Sequence, residues 1–371
     1  MDVGLQDALD GVKVVDLSRL LPGPMCAWYL RGLGARVIKV EDPAGGDWLR
    51  HLPPLTEEGT SAWFSAINAG VRSVTADLKA EADRALVEAL IAEADVLIEG
   101  FRPGVLRRLG LDPARLRARH PGLVIASITG FGQAGPLRDA PGHDLGYIGL
   151  AGILSLADAG AGAPKPPPVQ IADLAGGALS AALQITAALL RRSRTGAGAW
   201  LDVSMTAGAL SLIAPVVAEA AVDGPPAPGG AALTGALSTY ACYRCADGGF
   251  VTVAALEPQF QAALTAALGA PLPEDPAAAA AIFAQAPRDH WVERLGAACV
   301  APALDLRELL QHPLHAGQLR GSGPNRRVAP PFAGPQAWVS APAPALGEAD
   351  AALRAMAAAG ALAGAWASGA G

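Results

Sequence analysis

The sequence has few cysteines, few aromatic residues and an excess of negative over positive charge. Four cysteines among 371 residues are too few for a dense disulfide framework, and aromatic residues make up 5% of the chain. The formal net charge of −6 argues against a nucleic-acid-binding surface, because such surfaces usually belong to basic domains. The length suits two domains, or one large α/β unit with an appendage.

The sequence also lacks a complete metal-binding motif. Cys242 and Cys245 form a CxxC pair, but no second Cys or His pair completes a tetrahedral zinc site. Proline between His312 and His315 spoils the helical spacing of histidine metal motifs, so we assign this pair to the surface. We therefore expect no metal ion, and we predict reduced thiols in a cytoplasmic protein.

No secretory signal is apparent, because the first seven residues are acidic and contain no basic stretch followed by an apolar run. The most apolar stretch, residues 172–190, approaches the length of a membrane-spanning helix and ends in two arginines. It is rich in Ala and Gly, with Asp173 near its start and Gln184 in its middle. This composition favours the core helix of a soluble protein, and we expect no membrane contact.

Short β-rich runs alternate with helical stretches in the first part of the chain. The predicted strands cover residues 12–17, 36–41, 73–78, 95–99, 123–128 and 200–204, and the predicted helices cover residues 25–33, 80–94, 172–192 and 207–221. This alternation is typical of right-handed βαβ crossovers and predicts an α/β fold, a Rossmann-like large domain with a mostly parallel sheet. No GxGxxG motif follows the first strand, so a nicotinamide cofactor is not supported.

The composition changes near residue 223 and divides the chain. We predict a large domain over residues 1–222 that the C-terminal segment 325–371 completes, a linker rich in Pro and Gly over 223–234, and a smaller α+β domain over 235–324. Within the smaller domain, residues 239–245 and 250–255 flank turn residues and predict a hairpin. Further helices are predicted over residues 258–268, 288–298, 306–310 and 348–359.

Ionisable residues within apolar sequence mark the candidate site. His143 follows Gly142 at a transition from loop to helix, where glycine permits close approach to a ligand and the helix start offers amides. Asp173 opens the apolar helix, as a helix cap or as a carboxylate kept for chemistry. Glu257 ends a strand before Pro258, where it could simply begin a helix. A lone histidine such as His143 is more often structural, so each of these three residues has a structural interpretation beside the catalytic one.

Short motifs follow one another in a recognisable order over nearly the whole chain, at residues 14–18, 22–24, 33–41, 72–73, 77–79, 94–97, 101–104, 127–133 and 194–196. In these motifs the sequence resembles the family III CoA transferases of the CaiB/BaiF type, which include formyl-CoA and carnitine-CoA transferases and the α-methylacyl-CoA racemases. The resemblance implies a Rossmann-like large domain, a small α+β domain and an interlocked homodimer. In such a dimer the small domain of one chain covers the site of the other.

The candidate site resembles the racemase branch of the family. Asp173 aligns with a carboxylate that transferases use as a nucleophile and racemases use as an acid and base. His143 stands where transferases usually carry an aromatic residue. Glu257 lies in a segment that resembles the racemase segment whose glutamate partners the catalytic histidine. The resemblance therefore implies a racemase or epimerase of 2-methylacyl-CoA thioesters. The alternative is a CoA transferase that forms an aspartyl-acyl anhydride and an aspartyl-CoA thioester.

Inversion of a carbon next to a thioester requires two groups of different type on opposite faces. His143 would remove the proton from one enantiomer while protonated Asp173 returns a proton, with the roles exchanged for the other enantiomer. Glu257 would fix the tautomer of His143. The apolar flanks of Asp173 predict a raised pKa. The backbone amides of Asp144 and Leu145 are expected to bind the enolate oxygen.

Coenzyme A is expected as part of the acyl-CoA substrate, and neither reaction needs a metal or redox cofactor. The resemblance implies that the CoA ester contacts Arg72, Thr75, Ala76, Asp77, Leu78, Arg102, Gly142, Asp144 and Leu145. Two positions depart from the family pattern: Asp42 stands where racemases often have arginine, and Val71 stands where lysine is common. Both replacements remove positive charge, so we expect rearranged phosphate contacts or a reduced affinity for CoA.

Overall fold

The computed structural model describes residues 4–157, 162–323, 326–332 and 342–366. The chain forms two compact units, one from Met1–Ala151, Pro167–Leu212 and Ala316–Gly371, the other from Gly152–Pro166 and Ile213–His315. The domain limits proposed from the sequence, at residues 222, 234 and 324, stay a prediction. Parts of the C-terminal segment assigned to the large domain, residues 325, 333–341 and 367–371, lie outside the described residues.

Parallel strands form the central sheet of the first unit. The strands of the chain are β1 Lys13–Asp16, β2 Arg36–Glu41, β3 Arg72–Thr75, β4 Val96–Glu99, β5 Val124–Thr129, β6 Ala199–Ser204, β7 Tyr240–Arg244, β8 Phe250–Ala254, β9 Val300–Ala303, β10 Leu319–Arg320 and β11 Arg327–Val328. The six-stranded sheet has the order β3-β2-β1-β4-β5-β6 with every neighbouring pair parallel. The predicted α/β class with a mostly parallel sheet is confirmed.

Helices connect these strands and cover the sheet. They are α1 Pro22–Gly32, α2 Ala62–Ile67, α3 Glu81–Ala92, α4 Val105–Arg108, α5 Pro113–Arg119, α6 Asp144–Leu150, α7 Ser180–Thr195, α8 Met205–Ser211, α9 Ala214–Asp223, α10 Pro258–Leu268, α11 Pro276–Phe283, α12 Arg288–Leu295, α13 Leu306–Leu309 and α14 Asp350–Ala358. Strands β4 and β5 are buried along their whole length, as expected for parallel strands covered on both faces. The strand order reverses between β1 and β4, where such sheets form a crevice at their carboxyl ends.

The apolar helix predicted over residues 172–192 is confirmed, but its first two turns differ from an α-helix. Residues Ala172–Leu179 form a π-helix that continues directly into α7. A Cβ atom on Gly176 would lie 2.5 Å from the carbonyl oxygen of Met205, and one on Gly208 would lie 2.2 Å from the carbonyl oxygen of Gly176. Glycine at both positions therefore allows the backbones of the π-helix and α8 to pack directly together.

The combined helix Ala172–Thr195 is long and apolar enough to cross a membrane, with a mean hydropathy of 1.4, although 44% of its most apolar window is buried. The face with Ile185 and Leu189 packs into the first unit, as predicted for a core helix. Leu183 and Leu190 on the same helix are 71% and 62% exposed. Core helices of soluble proteins pass the same test of length and composition, so this helix alone is weak evidence for a membrane span.

The single helix predicted over residues 207–221 is wrong. The chain forms α8 and then α9, which begins with Pro215 in its first turn. Proline lacks the amide proton that a helix interior needs, and it disfavours helical geometry in the residue before it. The helix therefore ends before this proline and a new one starts, with α8 in the first compact unit and α9 in the second.

The second unit contains a three-stranded antiparallel sheet of order β7-β8-β9, with the predicted hairpin pairing Tyr243 with Val251. Its core is aromatic: the Phe283 ring stacks on Tyr243 at 4.5 Å between centroids, and Trp291 meets Phe283 edge-on at 5.4 Å. Helix α10 has the predicted bounds. Helix α11 was not predicted, because its alanine run lacks a polar face, although Asp275 caps its start by accepting a hydrogen bond from the Ala278 amide.

Candidate active site

A cavity of about 650 Å³ lies at the carboxyl ends of β1, β4 and β5 in the first unit. We call it the active-site cavity. The loops after these strands contribute to its wall, together with the start of α6 and the π-helix; the lining includes Ser18, Arg19, Leu20, Phe101, Arg102, Phe131, Gly142, His143, Tyr147 and Asp173. Its volume falls in the range of small-molecule sites, and its position is the one where open parallel sheets bind ligands. The structure therefore brings His143 and Asp173 to the same cavity.

Asp173 lies in the first turn of the π-helix, and the residue at the N-cap position is Ile171. The interpretation of Asp173 as a helix cap is therefore wrong. Burial, and to a smaller extent the negative charge of Asp144, raise the pKa of Asp173 to about 7. The raised pKa expected from its apolar flanks is thus present, with a neighbouring carboxylate as a second cause.

Asp144 holds the π-helix in place beside α6. This buried carboxylate is the first residue of α6, and its Oδ1 accepts a hydrogen bond of 3.0 Å from the backbone amide of Asp173. The sequence suggested a role for the Asp144 amide but not for its side chain. The contact joins two segments 29 residues apart, and it places a negative charge where it disfavours ionisation of Asp173.

His143 precedes α6 in an extended backbone conformation, with φ −136° and ψ 172°. Its carbonyl oxygen accepts hydrogen bonds from the amides of Gly146 at 2.9 Å and Tyr147 at 3.2 Å, which fix the backbone. The His143 side chain is exposed and belongs to the lining of the active-site cavity. The helix start therefore presents an imidazole that is accessible to a ligand on a rigid support.

Tyr147 is a further residue of the site, and the sequence did not single it out. Its hydroxyl donates to the carbonyl oxygen of Gly142 at 2.6 Å, and its ring packs edge-on against Phe131 at 5.2 Å. A Cβ atom on Gly142 or Gly130 would lie 2.5 Å from the Tyr147 ring, so both glycines are needed for this packing. Burial raises the pKa of Tyr147, as does the charge of Asp173. The only local signal was an aromatic residue amid small ones.

A second cavity is lined by three of the residues that are expected near the nucleotide. This cavity of about 210 Å³, the nucleotide-side cavity, includes Ala76, Asp77 and Leu78 in its wall. Asp42 also lines this cavity. The two cavities adjoin, since Ser18, Arg19 and Phe101 line both of them.

Thr75 and Arg72 make other contacts in the structure. The Thr75 amide and hydroxyl donate to the carboxylate of Asp350 at 2.6 and 2.5 Å. Arg72 begins β3, at the amino edge of the sheet, and its guanidinium donates to the carbonyl oxygen of Ala365 at 2.6 Å. Neither residue lines the two cavities, and their contact with the nucleotide stays a prediction.

Arg102 lines the active-site cavity and a neighbouring cavity of about 370 Å³. The neighbouring cavity also contains Glu99, whose pKa burial raises to about 7 although the Ser127 hydroxyl and the Phe101 amide stabilise its charged form. Glu99 lies at the carboxyl end of β4, and its Oε2 accepts from the Phe101 amide at 2.8 Å. The sequence did not single out Glu99, because nothing local shows that this acidic residue is buried.

Leu145, the second residue of α6, is 48% exposed. Glu257 belongs to the second compact unit, where it is exposed and immediately precedes α10 without capping it through its side chain. Its pairing with His143 stays a prediction. Among the residues that the structure describes, no group of three or more His, Cys, Asp or Glu side chains is arranged to hold a metal ion.

A sequence model of CoA-transferase family III matches residues 9–349. The chain belongs to CoA-transferase family III. The alpha-methylacyl-CoA racemase of Homo sapiens is 36% identical over 320 residues, which cover 82% of this chain and 80% of the relative. The acetyl-CoA:oxalate CoA-transferase of Acetobacter aceti is 41% identical over 209 residues, which cover 55% of this chain and 52% of the relative.

Solved structures agree with this assignment. A CaiB/BaiF family protein from Brucella suis is similar to this chain with a TM-score of 0.81 at 31% sequence identity, and the match covers 94% of this chain and 99% of that chain. Relatives include proteins named as racemases and proteins named as CoA transferases. The family therefore indicates an enzyme of acyl-CoA thioesters that is either a racemase or a CoA transferase.

Proposed function

We propose that this family III enzyme is a racemase or epimerase of 2-methylacyl-CoA thioesters. The observation that carries the proposal is that one cavity is lined by both His143 and Asp173, whose pKa is raised to about 7. The extent of similarity supports it as well. The match to the human racemase covers 82% of the chain, whereas that to the oxalate CoA-transferase covers 55%.

In the proposed reaction, one residue breaks the Cα–H bond and the other supplies a new proton. Neutral His143 takes the α-proton of one enantiomer, and the electron pair of that bond moves into an enolate of the thioester. Protonated Asp173 then donates its proton to the opposite face of Cα. The product has inverted configuration; His143 has gained a proton and Asp173 has lost one. The reverse reaction begins with ionised Asp173 as the base.

The pKa of Asp173 suits both directions of this reaction. A carboxyl group with an ordinary pKa is almost entirely ionised at neutral pH and would rarely hold a proton to donate. With a pKa of about 7, comparable fractions of Asp173 are protonated and ionised. General acid and base catalysis is most effective when the pKa lies near the working pH.

The start of α6 is the proposed binding site for the enolate oxygen. The first amides of a helix have no acceptor within it, and the Asp144 and Leu145 amides occupy these positions. Tyr147 and Gly142 support the loop that precedes them. The CoA portion of the substrate extends into the nucleotide-side cavity beside Ala76, Asp77 and Leu78.

The proposed enzyme is a cytoplasmic homodimer, in which Glu257 of the partner subunit orients His143. The exposed leucines of α7 support a protein interface, because Leu183 and Leu190 present apolar area that a second chain could bury. Free thiols such as that of Cys242, which is exposed, persist in a reducing compartment.

Deuterium exchange tests this function against CoA transfer. In heavy water, without any acceptor acid, the enzyme should introduce deuterium at Cα of a 2-methylacyl-CoA and convert one enantiomer into a mixture of both. Proton NMR follows the exchange, and chiral chromatography of the hydrolysed acid follows the configuration. His143→Ala should lower the rate of racemisation by a factor of about 10² or more, while exchange persists for the enantiomer whose α-proton faces Asp173. Hydroxylamine trapping of an acyl group on Asp173, with transfer of CoA to a free carboxylate and no exchange, would identify a transferase instead.

A further inference from the structure

A cationic side chain lies where the two cavities meet. Arg19, on the loop between β1 and α1, lines both the active-site cavity and the nucleotide-side cavity. It is exposed, and with the described residues it forms no ion pair or side-chain hydrogen bond. Lys79 also lines the nucleotide-side cavity, but it is absent from the lining of the active-site cavity. The Arg19 guanidinium is therefore available to a ligand that occupies both cavities.

Buried charges fix the loop on either side of Arg19. Lys39 Nζ donates to the carbonyl oxygen of Ser18 at 2.8 Å, and Asp47 Oδ1 accepts from the amide of Leu20 at 3.0 Å. Lys39 and Asp47 are fully buried and pair with each other at 3.1 Å. The two residues next to Arg19 are thus held by an ion pair within the protein, while the arginine side chain itself has no such partner among the described residues.

The backbone of this loop is strained. Leu20 adopts φ 64°, a left-handed conformation that residues with bulky side chains rarely take. Such conformations persist only where the surroundings enforce them, and they cluster at ligand sites. Packing also enforces the loop, because a Cβ atom on Gly23 would lie 1.9 Å from the Ser18 hydroxyl oxygen.

We propose that Arg19 binds the diphosphate group of the CoA ester, and that the Lys39–Asp47 pair positions Arg19 for this contact. The inference rests on the proposed function, since it takes an acyl-CoA as the ligand. In CoA the diphosphate lies between the adenosine and the pantetheine arm, so a ligand with these parts in the two cavities has its diphosphate near their junction. A guanidinium binds phosphate oxygens through paired hydrogen bonds.

Arg19 also offsets a negative charge in the nucleotide-side cavity. Asp42 lines this cavity. A negative charge there repels phosphate, whereas Arg19 supplies a positive charge from the neighbouring loop. Arg19 thus takes over part of the electrostatic attraction that the nucleotide requires.

Two substrates separate this role from a general effect. Arg19→Gln should raise KM for a 2-methylacyl-CoA about tenfold with little change in kcat, because it removes a charged hydrogen bond to a group distant from the reacting carbon. For the corresponding acyl-pantetheine, which lacks the diphosphate, kcat/KM should change less than twofold. Arg117→Gln, with the same loss of charge at an exposed position of α5, is the matched control and should behave as wild type with both substrates.

Calorimetric binding of CoA itself keeps this proposal separate from the reaction. Arg19→Gln should bind CoA about tenfold more weakly than wild type, whether or not the protein proves to be a racemase. Equal CoA affinity for the variant and wild type, or an equal loss with the acyl-pantetheine, would overturn the role of Arg19. Leu20→Gly tests the positioning, because it frees the loop but keeps the arginine. Weaker CoA binding with an unchanged melting temperature supports positioning, and unchanged CoA binding refutes it.

Discussion

Replacement of Asp173 by asparagine should stabilise the folded protein, increasingly so as the pH rises. Burial raises the pKa of the Asp173 carboxyl from its ordinary value of 3.8 to about 7. Ionisation of Asp173 in the folded state is therefore unfavourable, and it destabilises the folded protein once the pH is high enough for the carboxyl to lose its proton. Asparagine has almost the same shape and no charge to bury. The residue proposed to act in catalysis is thus a source of instability at neutral and alkaline pH.

The magnitude follows from proton linkage. The stabilisation that comes from the bound proton is fully present below the unfolded pKa of 3.8 and is lost as the pH rises through the folded pKa of about 7. At about 1.36 kcal/mol for each pH unit between these values, the total cost of ionisation approaches about 4 kcal/mol. Between pH 5 and pH 8, the advantage of Asp173→Asn over wild type should grow by about 2.5 kcal/mol at most, and by less if water enters the site.

Urea unfolding at pH 5 and pH 8, followed by tryptophan fluorescence at fixed protein concentration, measures this difference. Asp223→Asn is the matched control, since it removes a carboxylate at the exposed end of α9 and should show no growing advantage. An advantage of Asp173→Asn that is equal at the two pH values, or smaller at pH 8, would refute the argument that burial raises this pKa.

Three further changes have defined outcomes. Asp144→Asn should move the limb of the pH–rate profile that reports Asp173 to lower pH, because it removes a neighbouring negative charge; an unmoved limb would contradict the coupling. Lys39→Met should lower the free energy of unfolding by about 3–5 kcal/mol in urea titrations, because two buried carboxylates lose their cation, and a loss below 1 kcal/mol would contradict this. Leu183→Asp should convert the proposed dimer into monomers in sedimentation velocity, whereas Leu55→Asp, outside α7, should not; a protein that is monomeric before the change would contradict the interface.

Much of the fold could be predicted from local patterns. Strand β2 and helix α10 have the predicted bounds, because local signals mark both. An apolar run beside charged residues marks β2, and a proline marks the start of α10. The π-helix could not be predicted, since its geometry accompanies backbone packing between Gly176 and Gly208, which lie far apart in sequence. Helix α11 was missed because a run of alanine has no amphipathic pattern.

The candidate site was predicted where sequence context alone carried the signal. His143 beside glycine and Asp173 within apolar sequence stood out, and both line the active-site cavity. The partners of these residues could not be predicted in this way. The Asp144 side chain contacts an amide 29 residues away, and the guanidinium of Arg72 contacts a carbonyl group 293 residues away. The burial of Glu99 likewise depends on a strand distant in sequence, since β5 pairs with the strand that ends at this residue.

The most direct test of the proposed chemistry is the exchange of the α-proton of each separate enantiomer in heavy water by variants that lack one base. His143→Gln should lose racemisation but still exchange the enantiomer whose proton faces Asp173. Asp173→Asn should show the opposite preference. Mirror-image exchange by the two variants is the result that two bases on opposite faces predict. Loss of exchange with both enantiomers in the Asp173 variant, and full racemisation by the His143 variant, would contradict the account.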